Sequence, residues 1–261
     1  MKKLLLISLI AFAIISADAQ FYAGLGLGYG FGSNKRVVGN EITATSNSNV
    51  YGSYGQGFNI NPKLGYMVND NMGFELGIDY FMGATQTILK TSTDLQEGQS
   101  NALILAPQFV LKTDNGLYSR FGIFVPVAGK TTITIESSNY YGTDLSAEAE
   151  TKGSFSVGVV AALGYEYSLN DNLSLFGELQ YSGISVRSGT FEYTKFEVGG
   201  KDKLADMDEY DKKTEYVDEL NSSSNNSSYN TNYDKDSAKE ELKSTSPFSS
   251  FAINVGVIYK F

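Results

Sequence analysis

From Gln20 onward, apolar and polar positions alternate with period 2, the spacing that sends successive strand side chains to opposite faces. In the first segment Phe21, Ala23, Leu25, Leu27, Tyr29 and Phe31 share one face, and Gly24, Gly26, Gly28, Gly30 and Gly32 leave the other nearly bare. The last segment sets Phe251, Ile253, Val255, Val257, Tyr259 and Phe261 against Ala252, Asn254, Gly256, Ile258 and Lys260. Six more segments of this kind fit between them, at 58–66, 74–80, 103–112, 120–127, 157–167 and 173–181. Eight is an even number, as a closed antiparallel barrel with both ends on one side requires.

The connections alternate in length. Asn69-Asp70-Asn71, Thr113-Asp114-Asn115-Gly116 and Asn170-Asp171-Asn172 predict tight turns, because these residues tolerate turn geometry. Long polar stretches occupy 33–54, 84–99, 130–152 and 188–248. Strand-like patches at Thr131–Ile135 and Phe191–Val198 predict strands that project beyond the barrel, and a hairpin hidden in one loop would raise the count from eight to ten.

The apolar face is the one expected to meet lipid. Phe21, Tyr66, Phe74, Tyr165, Tyr167 and Phe261 fall at one rim, and Phe31, Phe58, Tyr80, Phe155, Tyr181 and Phe251 at the other, as two aromatic girdles around an aliphatic waist. A soluble β-sandwich also alternates, but its core has no reason to sort rings toward strand ends. Phe251–Phe261 is 11 residues long, against the ~9–11 that a tilted membrane strand needs. Hydrocarbon does not tolerate an open sheet edge, so the sheet must close. The expected fold is all-β: an eight-stranded antiparallel up-and-down transmembrane β-barrel with short periplasmic turns and long extracellular loops.

Upstream, Lys2 and Lys3 precede an apolar run from Leu4 to Ile15, followed by Ala17-Asp18-Ala19-Gln20. That order predicts a secretory signal peptide over 1–19, cut between Ala19 and Gln20 with Ala17 and Ala19 as the small residues, and a barrel domain over 20–261. The run is too short to cross a bilayer as a helix. Export and a membrane barrel together place the protein in a bacterial outer membrane.

The second face carries Lys63, Glu75, Asp79, Lys112, Arg120, Glu166, Glu178 and Lys260, four basic and four acidic residues, with Gln108, Gln180 and Asn254. Buried charges need partners, so these residues are expected to form a mutually paired filling of a narrow lumen, with Lys63 diagonally between Glu75 and Asp79. The same residues could instead line an ion or proton path.

Composition removes several classes of function. The formal charge of −9 becomes −10 once Lys2, Lys3 and Asp18 leave with the signal (18 basic, 28 acidic), which excludes a nucleic-acid partner. The chain holds no cysteine and no histidine, so disulfides and zinc or copper sites fall away, as does the general base best suited to neutral pH. No cofactor is expected. Asp206, Asp208, Glu209 and Asp211 cluster, but lack the glycine and distal glutamate of a calcium loop.

The signal region, the first strand Phe21–Gly32 and the last strand Phe251–Phe261 with its terminal aromatic resemble the small outer-membrane β-barrel proteins typified by the OmpA membrane domain, OmpX and OmpW. In such proteins the last strand is an assembly signal, and Val255, Val257, Tyr259 and Phe261 match its pattern, which implies recognition by the barrel-assembly machinery. The resemblance also implies surroundings of outer-membrane lipid and lipopolysaccharide. The barrel enzymes of this membrane use histidine, so a non-enzymatic protein is implied here. Ending at Phe261, the sequence is expected to lack the peptidoglycan-binding domain of OmpA.

The most individual feature is the last loop. Lys201–Ser246 holds 12 acidic and 7 basic residues and the Asn/Ser tract 221–232, a composition that predicts a mobile or partly disordered stretch within 188–248. It is a candidate for contact with a surface ligand. Two roles follow: a structural or surface-binding barrel with a filled lumen, or a narrow porin-like channel or conduit for small solutes.

Overall fold

Strands rich in aromatic, aliphatic and β-branched residues must cover one face and pair both edges, and this chain meets both demands by closing on itself. The computed structural model describes residues 20–33 and 36–261. Eight strands form the barrel: β1 (Gln20–Gly32), β2 (Gly57–Asn69), β3 (Met72–Gly83), β4 (Asp94–Lys112), β5 (Leu117–Tyr140), β6 (Gly158–Ser168), β7 (Leu173–Gly183) and β8 (Ser250–Lys260). Each pairs antiparallel with its neighbours, and β8 closes on β1 with Phe31 opposite Phe251 and Ala23 opposite Tyr259. The remaining strands lie in the loops, so the count is eight rather than ten.

The register fixes the stagger. One row of cross-strand partners runs Phe31, Phe251, Tyr181, Ala161, Phe121, Phe109, Phe74, Tyr66 and returns to β1 at Phe21, ten residues from where it began. Such a shear tilts the strands. Every residue in the row except Ala161 is aromatic, and several of its rings touch in groups: Tyr181–Phe251 at 5.0 Å, Phe109–Phe121 and Phe74–Phe109 at 5.4 Å, Phe21–Tyr66 at 4.8 Å. The two aromatic girdles are therefore joined by a spiral, because Phe121 and Phe109 stand between the rims.

Side-chain hydrogen bonds build the short turns. Asn69 Oδ1 accepts from the Asn71 and Met72 amides at 3.0 and 2.9 Å, and Asn170 Oδ1 accepts from Asn172 and Leu173 at 3.0 and 2.8 Å. At the other end β4 and β5 rise out of the barrel into a crown. Asn47–Gly52, Arg36–Ile42, Gln86–Lys90, β4, β5, Thr143–Gly153, Ser185–Val198, Lys213–Val217 and Lys239–Leu242 are paired in that order as one sheet. The expected projecting patches Thr131–Ile135 and Phe191–Val198 lie within it.

The last loop carries local structure of its own. It holds a short helix, Glu209–Lys212, with Tyr210 buried against Tyr233 at 4.5 Å between ring centres. Amides replace an apolar core. The Asn225 side chain donates to the carbonyls of Asp234, Ser237 and Ala238 at 2.9–3.1 Å and accepts from the Asp234 amide at 2.7 Å. Asn226 donates to the Glu240 carbonyl at 2.7 Å. Composition counts Asn as a disorder-promoting residue, whereas here its side chain satisfies backbone groups that a core would otherwise organise.

Candidate functional site

Inward-facing residues arrange the lumen in three layers. Nearest the short turns is a vestibule of about 190 Å³, bounded by Gln20, Met67, Lys112, Tyr118, Glu166 and Lys260, among others. Glu166 accepts from Lys112 at 2.7 Å and pairs with Lys260 at 2.5 Å, which gathers charges from β4, β6 and β8.

The middle layer is the charged centre. Arg120 on β5 pairs with Glu75 on β3 through one terminal nitrogen and with Glu178 on β7 through the other. Its side chain and that of Glu178 are 1 % and 0 % exposed, so solvent does not screen this network. The free oxygens are occupied as well. Tyr22 donates to Glu75 at 2.8 Å and Tyr118 to Glu178 at 2.7 Å, while Asn254 donates at 3.0 Å to the Glu178 oxygen that Arg120 also holds. The two tyrosine rings lie across glycines, and a Cβ at Gly65 or Gly164 would fall 2.0 or 2.4 Å from the ring of Tyr22 or Tyr118.

Lys63 and Asp79 depart from the expected pairing. Although Lys63 stands opposite Gly77 between Glu75 and Asp79, its ammonium lies 3.8 Å from Glu178 across the lumen and 4.0 Å from the centre of the Phe176 ring. Arg120 already holds Glu75, and Asn61 donates to Asp79. Two carboxylates near in register are therefore taken by other donors.

The upper layer pairs an apolar cluster with a polar wall of Asn59, Gln180, Ser182 and Ser250. Phe81, Ala102, Ile104, Ala106, Phe124, Val160 and Ile184 close over the charges with Phe248 from the last loop, whose ring is 5.2 Å from that of Phe81. The first loop locks this lid, since Tyr54 donates its amide to the Pro247 carbonyl at 3.0 Å and Ser53 Oγ donates to the Ser249 carbonyl at 2.8 Å.

The structure thus brings Lys63, Glu75, Arg120 and Glu178 together in one layer and Lys112, Glu166 and Lys260 in another, and leaves Asp79 with Asn61. Tyr22, Tyr118, Asn61 and Phe176 complete the centre and were not singled out from sequence, although their inward parity was readable. Val255, Val257, Tyr259 and Phe261 lie on the outer face, with Tyr259 and Phe261 in ring contact at 5.2 Å. Ala17 and Ala19 fall outside the described residues; Gln20 opens β1. The acidic cluster of the last loop is divided among lysines, Asp206 with Lys203, Asp208 with Lys235 and Glu209 with Lys212. Among the described residues no three acidic, histidine or cysteine groups converge on one point.

Residues 4–202 match the family described as outer membrane protein beta-barrel domain. The chain belongs to that family. Its place is the bacterial outer membrane, as for other barrels of the family. Among solved structures this barrel is similar to Neisserial surface protein A (12 % identity, 93 % of this chain and 99 % of that one, TM-score 0.39). It is also similar to OprG from Pseudomonas aeruginosa (12 %, 93 % and 96 %, 0.44) and to Ail of Yersinia pestis (8 %, 93 % and 97 %, 0.36). No curated protein sequence matches it significantly.

Proposed function

We propose that this barrel is a non-conducting, non-enzymatic platform that presents its crown at the cell surface. The observation carrying this reading is the double obstruction of the lumen: Arg120 fixed between Glu75 and Glu178, and above it the apolar cluster capped by Phe248. An ion would have to displace a buried guanidinium from two carboxylates and then pass the packed side chains of the layer above. Eight strands leave an interior just wide enough for side chains to fill, so neither barrier is easily bypassed.

The crown supports the surface role, being a folded sheet with an acidic lobe rather than a short cover over the barrel. In the same reading, residues 1–19 are an export signal cut after Ala19, and Val255, Val257, Tyr259 and Phe261 address the chain to the assembly machinery. Outer-membrane lipid and lipopolysaccharide surround it.

The test is conductance of the purified chain in a planar bilayer. The expected result is no sustained openings, in the full chain or after deletion of 201–246. Sustained openings that vanish on altering Glu178 or Arg120 would instead make the lumen a narrow channel. The deletion should keep the heat-modifiable folded band on unheated gels and lose contact with any surface ligand.

A further inference from the structure

We propose that a cleft in the barrel wall, between β5 and residues 153–157, takes one acyl chain of an anionic lipid from the outer leaflet. This site lies where the base of the crown meets the barrel wall, and it takes a bilayer lipid rather than a surface ligand.

The cleft arises where one strand leaves its neighbour. Pairing of β5 with β6 ends at Phe124–Gly158, and β5 regains a partner on that side only at Thr131–Thr151. Residues 154–156 between these points lean the other way: the Ser154 amide donates to the Arg187 carbonyl at 2.8 Å, and the Arg187 amide donates to Ser156 Oγ at 3.2 Å. Pro126, with no N–H to leave unpaired, sits in the gap.

The resulting opening has a volume of about 680 Å³, inside the ~300–1,000 Å³ of ordinary ligand pockets. Val125, Val127 and Phe155 stand at its mouth, and Val186, Ala102 and Phe248 at its inner end. Ala102 and Phe248 belong to the apolar cluster over the lumen, so the cleft is blind and ends on side chains suited to a hydrocarbon tail.

Its height follows from the register. Phe121 lies four strands along a row that descends ten residues over eight strands, so the level of Phe31 is reached five residues further up β5, at Pro126. The cleft therefore opens at the outer aromatic rim, where headgroups and water reach the backbone groups left by the break and where a lipid tail begins.

Charge selects the head. The lining holds Lys130 and Lys152 and no acidic side chain, on a mature chain whose net charge is −10. Lys130 engages Glu150 from outside the lining, while Lys152 is exposed and makes no ion pair among the described residues. A phosphate at this rim would meet a cation without displacing an existing partner.

The experiment exploits the absence of tryptophan from the chain. Val186→Trp, at the inner end, is refolded into vesicles of phosphatidylglycerol or phosphatidylcholine carrying bromines midway along one chain, with Leu179→Trp on the lipid-facing wall as the reference. Bromine quenches a tryptophan only near contact. The expected result is quenching of Val186→Trp to at least half the fraction seen at the reference, about twofold stronger with phosphatidylglycerol. An unquenched Val186→Trp overturns the proposal, and equal quenching by both lipids overturns the anionic assignment. If Val186→Trp does not give the folded band, native mass spectrometry of the unaltered chain asks the same question. One phosphatidylglycerol should be retained, and Lys130→Glu with Lys152→Glu should reduce its retention at least threefold. No retention, or retention indifferent to the charge reversal, overturns it.

Discussion

Removing Arg120 tests the lumen network most directly. In Arg120→Met the Glu75 carboxylate keeps only the Tyr22 hydroxyl at 2.8 Å, whereas Glu178 retains Tyr118, Asn254 and the Lys63 ammonium at 3.8 Å. Stripping one partner from a buried ion pair costs about 3–5 kcal/mol, and because Lys63 still balances one carboxylate the lower end applies, about 3 kcal/mol. That is roughly a hundredfold in the folding equilibrium. Urea unfolding in lipid vesicles, followed by the heat-modifiable folded band, measures it. The double variant Arg120→Met/Glu75→Gln removes a matched pair of charges and leaves Lys63 with Glu178, so it should recover more than half of the loss. Arg120→Met/Glu178→Gln should recover less, since Glu75 stays without a cation. A single variant within about 1 kcal/mol of the parent, or equal rescue by the two doubles, would refute the assignment of Arg120 as the shared counter-ion.

Other consequences follow from particular contacts. A Cβ on Gly28 would lie 1.8 Å from Asn254 Oδ1 and 2.5 Å from Asn59 Oδ1, so Gly28→Ala should destabilise by about 1–3 kcal/mol through overpacking. Gly177 has no atom within 4 Å of such a Cβ, and Gly177→Ala should be neutral or stabilising by up to about 1 kcal/mol; urea midpoints compare the two. Deleting Phe261, whose amide donates to the Phe21 carbonyl at 3.0 Å, should lower the fraction of chain that reaches the folded band in cells. Asn225→Ala removes four hydrogen bonds from the last loop and should speed protease cleavage within 201–246 while leaving the barrel band intact.

What the sequence revealed follows from how each feature is encoded. Barrel strands are written in local parity, so Phe21 to Phe31 and Phe251 to Phe261 could be assigned to a face without knowing their neighbours. Parity also put Arg120, Glu75, Glu178 and Lys63 on one side. It could not say which carboxylate each cation would choose, because that depends on the stagger of ten, a property of the whole closed sheet. The reach of Lys63 to Glu178 rather than to Asp79 is a cross-lumen contact of this kind. The aromatic spiral was hidden for the same reason: its members are scattered from Phe21 to Phe251 and align only through the register.

The crown and the cleft lie further from what local patterns express. Ser185–Val198 and Thr143–Gly153 pair over a long sequence separation with bulges on either side of Tyr193, which break the period that a local reading relies on. The cleft depends on a strand that stops pairing. Val125–Gly129 carry the same apolar pattern as the rest of β5, and only the hydrogen bonds of Ser154 and Ser156 to Arg187 take the next segment away from them. A strand's sequence specifies which face is greasy; whether its edge is covered is decided by a competing partner elsewhere in the chain. That separation lets one barrel combine a lumen filled by side chains with an unpaired patch of wall, since pairs reaching across the lumen fill the first and a serine-built diversion of a single strand opens the second.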